Sequence, residues 1–193
     1  MKFGFFAGLL FSLQVSALEN YTQACRTIGE DDYVQYQIEA ETPLRSGSQF
    51  NLKLTAFEDE NCTIPYLHYN QYFSVESLQG EKLNLKTIKV TYTTLSDEVS
   101  DALNMIQYCG FKNWKTNSET GVTGQVCDDF PQLKYEQTFF QLFKQDNNAL
   151  WIGLISPQKD GRDESQRPVD WDELGFTKVL SKPSLHINRV HLE

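Results

Sequence analysis

Basic residues are scarce in this sequence: 17 lysines and arginines stand against 26 aspartates and glutamates, a formal charge of −9. Nucleic acids are bound through clustered lysine and arginine that neutralise phosphates, so this balance excludes nucleic acid as a partner. The excess acid is spread along the chain rather than gathered into a tail, which reads as a solvated surface. Histidine is equally sparse, with only His68, His186 and His191. None adjoins a serine or cysteine in a nucleophile motif, and Gly-x-Ser-x-Gly is missing, so a hydrolase triad has no anchor. His186 and His191 lie five apart, a spacing that points them to opposite faces of one strand. Neither Cys-x-x-Cys nor His-x-x-x-His occurs, which removes the usual zinc spacings. No catalytic residue, metal or cofactor is expected.

Three acidic groups could supply oxygen ligands: Glu58, Asp59 and Glu60 with Asn61; Asp128 with Asp129; and Asp160, Asp163 and Glu164. None has the spacing of an EF-hand loop, and turns between strands select Asp and Asn for backbone reasons. Paired carboxylates drawn from these groups would suit glycoside hydrolysis only at a separation that sequence does not fix. Beyond the first 17 residues there is no second long apolar run and no Pro-rich or Gly/Ser-rich linker. The remainder is read as one domain without a transmembrane segment.

The first residues carry the pattern of a secretory signal peptide. Lys2 supplies the positive charge, Phe3 to Leu13 an apolar run, and Val15, Ser16 and Ala17 a cleavage site. Cleavage after Ala17 gives a signal peptide of residues 1–17 and a domain of residues 18–193, with 16 basic against 26 acidic side chains, or 16 − 26 = −10. Export places the protein in a secreted or periplasmic compartment, where the even set Cys25, Cys62, Cys109 and Cys127 favours disulfides over thiols. Of the three pairings that four cysteines allow, Cys25 with Cys62 and Cys109 with Cys127 are preferred because both close local loops. Sequons at Asn20 and Asn61 are glycosylated only if the cell of origin glycosylates its exported proteins.

The dominant local pattern has a period of two. Val34, Tyr36, Ile38 and Ala40 alternate with polar residues, as do Phe50, Leu52, Leu54 and Ala56 after a turn at Ser46-Gly47-Ser48, giving a first hairpin. Strands are also expected over 69–78 and 82–93. In the second, the apolar parity changes between Leu85 and Ile88, so a bulge or bend is needed for both halves to face a core. A second hairpin joins Tyr135–Phe143 to Leu150–Ile155 across Asp146, Asn147 and Asn148. Last strands are expected at 176–180 and 185–190. One segment breaks the pattern: after Ser96, a good N-cap, Val99, Ala102, Leu103 and Ile106 recur at helical spacing, with Gly110 as the expected stop. The sum is a mainly β chain, an antiparallel β-barrel with one short helix, since closure removes exposed edges. A β-sandwich is the alternative.

Aromatic residues fall largely in these strands, and a small barrel either fills its interior or encloses a cavity. A small hydrophobic molecule or lipid bound against Tyr36, Phe50, Tyr72, Phe73 and Tyr92 is the leading functional expectation. An interaction module with a filled core, such as an inhibitor or envelope component, and a carboxylate hydrolase are the rivals.

Several short motifs bear on the same expectation: Phe57-Glu58-Asp59-Glu60-Asn61-Cys62-Thr63, Tyr108-Cys109-Gly110-Phe111 with Trp114, Gly121-Val122-Thr123-Gly124 before Cys127, and Asp160-Gly161-Arg162 with Arg167-Pro168. Together they resemble the secreted lipocalin-like proteins, a group that includes the extracellular barrel of the adenomatosis-polyposis-coli-down-regulated Wnt inhibitor. The Gly-x-Trp signature of true lipocalins near the first strand is missing. The resemblance implies an antiparallel barrel, no catalytic residues and an apolar ligand site, and it assigns no individual binding residue.

Overall fold

The computed structural model describes residues 16–28, 32–146 and 148–180. Most of the proposed signal peptide, the expected strand 185–190, and His186 and His191 lie outside the described residues. The strands are β1 (Ala17–Thr22), β2 (Arg26–Ile28), β3 (Asp32–Thr42), β4 (Gln49–Phe57), β5 (Pro65–Gln79) and β6 (Lys82–Thr94). A helix, α1 (Asp97–Ile106), precedes β7 (Glu119–Gly121), β8 (Val126–Cys127), β9 (Phe130–Pro131), β10 (Thr138–Gln145), β11 (Ala149–Ile152) and β12 (Phe176–Lys178).

Antiparallel pairing runs β1-β12-β11-β10-β6-β5-β4-β3, and β3 pairs back onto β1, so these eight strands form a closed ring. β1 serves as the closing strand. Its residues Tyr21 and Thr22 pair with Lys178 and Thr177 of β12, while Ala17 to Thr22 pair with Thr42 to Gln37 of β3. β2 and β7 add to β3 and β6 outside this path. The mainly β, antiparallel architecture with a single helix agrees with the sequence pattern, and one continuous ladder takes the place of two facing sheets.

The alternation read in β3 and β4 orders the core. Val34, Ile38, Ala40, Phe50 and Ala56 are buried, and the hairpin pairs Ala40 with Phe50 and Ile38 with Leu52. Of these, Ile38, Ala40 and Phe50 form one cluster with Phe73 and Val75 of β5, Leu83 and Leu85 of β6, Phe139 and Phe143 of β10, Leu150 of β11 and Phe176 of β12. Burying a side chain of this size stabilises the fold by roughly 1.5–3 kcal/mol.

The expected parity change in β6 is real. Tyr72 pairs with Lys89 and Phe73 with Thr87, which leaves Ile88 as the extra residue of a bulge. Before it Leu83, Leu85 and Thr87 are buried, and after it Val90 and Thr94. Ile88 itself is 46% exposed rather than facing the core, because a bulged residue has no inward position to take. A second shift, between Val75 and Ser77, leaves Glu76 as the extra residue on β5.

The helix begins as its sequence indicates: the Ser96 hydroxyl accepts a hydrogen bond from the Val99 N–H at 3.2 Å. It ends earlier than Gly110, at Gln107, which takes a left-handed conformation (φ 54°); Gly110 instead ends the following 3-10 turn. Ser100 is its one buried residue, and Ile106 is exposed, so the helix docks through polar contacts more than through the anticipated apolar stripe. Ser100 Oγ bonds Thr94 Oγ1 at 2.7 Å and Thr116 Oγ1 at 2.9 Å. The Asn104 side chain accepts from the Trp114 N–H at 2.7 Å and donates to the Trp114 carbonyl at 3.1 Å.

Both preferred disulfides are formed, Cys25 to Cys62 and Cys109 to Cys127, with Cα separations of 5.9 and 4.1 Å. The first ties the segment between β1 and β2 to the β4–β5 turn, and the second ties the 3-10 turn to β8. The second hairpin is shorter than expected. Tyr135 lies before β10 and is 68% exposed, and β11 stops at Ile152, where Gly153 bridges to Trp171.

Candidate functional site

A cavity of about 340 Å³ lies inside the ring. Inward-facing side chains of six ring strands line it: Tyr36 of β3, Leu52 and Leu54 of β4, Tyr69 and Gln71 of β5, Phe139 and Gln141 of β10, Ile152 of β11 and Phe176 of β12. Leu133 completes the apolar wall. Phe130, Leu154 and Ile155 also line the cavity, and they are 56%, 45% and 45% exposed, which marks the mouth.

The wall carries two ion pairs. Arg26, from β2, donates from one terminal nitrogen to both carboxylate oxygens of Asp172 at 3.1 and 2.9 Å, and its guanidinium lies 4.6 Å from the centre of the Tyr36 ring. Arg162 pairs with Asp160 at 3.3 Å and lies over the Phe130 ring at 4.8 Å. Stacking on the rings holds both guanidinium groups against the apolar surface. Gln23, immediately after β1 and 2% exposed, donates from Nε2 to the Leu174 carbonyl at 2.5 Å. Because the Leu174 N–H donates to Asp172 at 3.0 Å, Gln23 and Arg26 both hold one loop, residues 172–174.

On the far wall Gln141 Oε1 accepts from the Gly153 N–H at 2.9 Å, which fixes the start of the loop leaving β11. A Cβ at Gly153 would come within 2.6 Å of that oxygen and 2.5 Å of Pro168, so the site closes only around glycine. Gly161 is constrained likewise: its φ of +74° and the 2.6 Å approach of a would-be Cβ to the Phe140 carbonyl allow the Asp160–Arg162 turn to press on cavity-lining Phe139. Arg167, also buried, donates to the Leu83 and Gln141 carbonyls at 3.0 and 2.6 Å and to Asn84 Oδ1 at 2.6 Å. It pins the loop beyond the mouth to β6 and β10.

Of the five aromatic residues anticipated as walls, Tyr36 alone lines this cavity. Phe50 and Phe73 are buried beside it: Phe73 stacks on Phe139 at 5.6 Å and Phe50 meets Phe143 edge-on at 6.4 Å, filling the ring where the cavity stops. Tyr92 belongs to an aromatic group with Tyr69, Tyr108 and Trp114. Tyr72 faces the opposite way. Its hydroxyl donates to Glu119 at 2.9 Å and Lys89 lies over its ring at 4.3 Å, on the outer surface of the sheet. Adjacent strand residues alternate faces, so Tyr72 and Phe73 do not share one.

Sequence reasoning passed over the cavity's polar groups. Asp160 and Arg162 stood in segments already singled out, one as a turn acid and one within a short motif, but Gln23, Arg26, Gln141 and Asp172 carried no pattern that would have marked them.

Burial holds the Tyr69 phenol well above its ordinary range; its hydroxyl donates to Gln132 Oε1 at 2.9 Å and accepts from Gln71 at 3.1 Å. His68 lies outside the cavity, bonded to Thr55 Oγ1 at 3.0 Å. Burial, and secondarily the Lys53 charge, push its imidazole down to about 4. Among the described residues no cluster of three or more His, Cys, Asp and Glu side chains could hold a metal ion, and no helix is long and apolar enough to cross a membrane. No protein-family model matches the chain, and no curated protein matches it.

Proposed function

We propose that this protein is a secreted or periplasmic binding protein that holds a small hydrophobic molecule inside the strand ring. The observation that carries the reading is the cavity: about 340 Å³, walled by leucine, isoleucine and aromatic side chains contributed by six strands. That volume is at the small end of ligand pockets, which run from about 300 to 1,000 Å³. It suits one compact or single-chain apolar molecule better than a bulky two-chain lipid. The closed ring with an apolar cavity beside its packed aromatic core also supports the lipocalin-like reading. Two disulfides support an oxidising compartment.

The geometry favours binding over hydrolysis. Each cavity-lining carboxylate, Asp160 and Asp172, is already engaged with an arginine of the wall rather than free to meet a substrate. Native mass spectrometry of protein purified from its own host tests the proposal, since a retained molecule shows as added mass. Titration with a neutral apolar fluorophore such as N-phenyl-1-naphthylamine gives the second measurement. One-to-one binding is expected; a protein that carries no added mass and takes up no apolar probe would return the interaction-module reading.

A further inference from the structure

The two ion pairs of the cavity wall differ in what they leave unused. Every carboxylate oxygen is engaged: Asp172 accepts from Arg26 on both oxygens and from the Leu174 N–H, while Asp160 accepts from the Arg162 backbone N–H at 3.0 Å and meets its Nε at 3.3 Å. The arginines are not used up in this way. Arg26 employs one terminal nitrogen, at 3.1 and 2.9 Å, and Arg162 meets Asp160 through Nε without spending either terminal nitrogen. Among the described residues both terminal nitrogens of Arg162, Nη2 of Arg26 and the Tyr36 hydroxyl have no hydrogen-bond partner, and none of them is sealed inside the protein. The charged groups of the wall thus offer spare donors and spent acceptors.

Their placement follows from the register. Tyr36 pairs with Leu54 and Leu54 with Tyr69, so the two tyrosines stand in one row of the inner face, two strands apart, with Arg26 over the first ring. Burial is the main cause of the raised pKa of the Tyr69 phenol; the Arg162 charge opposes it and the Tyr36 phenol adds to it, so both lie near enough to act on that hydroxyl. Arg162 is half-buried, lies over Phe130 at the mouth, and has the longer and less complete of the two ion pairs. Its planar fork matches a carboxylate, which accepts two parallel charge-assisted hydrogen bonds. Repulsion from the acidic surface is screened over about 8–10 Å at physiological salt, so the head group answers to the groups it touches. We infer that the cavity takes a single-chain amphiphile with a carboxylate head, held by Arg162 at the mouth, with its chain against Leu52, Leu54 and Ile152. This rests on the cavity reading and adds the chemical class of its ligand.

Displacement of N-phenyl-1-naphthylamine at neutral pH by probes with one common chain tests it: decanoate, its methyl ester, decan-1-ol and decyl phosphate. Decanoate should bind about tenfold or more tightly than the ester and the alcohol, the amount expected when charge-assisted hydrogen bonds replace neutral contacts. A cavity without an anion partner would rank them the other way, because the ionised head is the costliest to desolvate. In Arg162→Gln decanoate should lose its advantage over the alcohol, and in Arg162→Lys, which keeps the charge without the fork, it should keep part of it. If the glutamine variant misfolds, the ranking of decanoate against its ester on the unaltered protein still decides. Decanoate binding no tighter than the ester or the alcohol would overturn the inference while leaving the cavity reading intact, with water satisfying the arginines. A preference for decanoate that survives Arg162→Gln but is lost in Arg26→Gln would overturn the assignment to Arg162. Tighter binding of decyl phosphate would overturn the carboxylate head. Failure of every probe, the fluorophore included, would overturn both readings.

Discussion

Tyr72 and Phe73 are chain neighbours with opposite surroundings, and truncating each in turn tests the register on which the cavity depends. Phe73 is fully buried and stacks on Phe139. Its replacement by alanine removes a ring's worth of apolar contact and leaves a hole between β5 and β10, which costs about 3–5 kcal/mol. For a chain of this length each kcal/mol lowers the midpoint by about 2–4 °C, so Tm should fall by roughly 6–20 °C. Tyr72 lies on the outer face, where its hydrogen bond to Glu119 and its contact with Lys89 are solvent-screened. Tyr72→Ala should cost less than about 1 kcal/mol. Thermal and urea unfolding, followed by circular dichroism under non-reducing conditions, measures both. Probe binding adds a second axis: Phe73→Ala alters it through Phe139, whereas Tyr72→Ala leaves it unchanged. Equal stability losses for the two variants would refute the inward assignment of Phe73 on β5.

Leu54→Trp, placed to fill the cavity, should weaken apolar probe binding by at least about tenfold, because it takes up space worth roughly 1.5–3 kcal/mol of ligand burial; fluorescence titration reports it, and unchanged affinity would relocate the site. The pH dependence of unfolding follows His68. Its folded imidazole titrates at about 4 against an ordinary 6.5, so between those values the unfolded chain binds the proton more readily. This contribution is complete above about pH 6.5 and drains away as pH falls to 4; His68→Gln should flatten that part of the curve in denaturant titrations. Removing the Cys109–Cys127 bond by Cys109→Ser with Cys127→Ser should cost about 3 kcal/mol from its 18-residue separation, seen as a lowered urea midpoint.

Local physics made much of this fold legible. Alternation specified the faces of β3 and β4, the Ser96 cap placed the start of α1, and the parity break located the bulge to within a few residues. Local physics also explains what was missed. β1 reads Ala-Leu-Glu-Asn-Tyr-Thr, a short and mixed segment that becomes a strand because β3 and β12 offer it edges on both sides. Which member of the Tyr72–Phe73 pair faces inward is set by which face of β5 meets the core, and residues 69–73 (Tyr-Asn-Gln-Tyr-Phe) put aromatic side chains on both faces, so the segment alone does not decide it. The cavity's polar corner joins Arg26 to Asp172 across 146 positions, and no pattern within a window of ordinary length registers such a pairing. Of the aromatic residues expected to line one face, Phe50 and Phe73 are buried and Tyr72 lies on the outer surface, and for the inward ones the choice between wall and filling is made by the neighbours that meet them across the ring.

The closing role of β1 also governs when the fold can be completed. Its pairs with β12 join Tyr21 and Thr22 to Lys178 and Thr177, so a growing chain cannot close the ring until β12 has been made. Until then β1 and β11 each present an unpaired edge, the kind of surface on which strands of other molecules add. Closure across so long a separation is entropically slow. The interval between synthesis of β1 and arrival of β12 is therefore the period in which this protein most needs protection from its own copies.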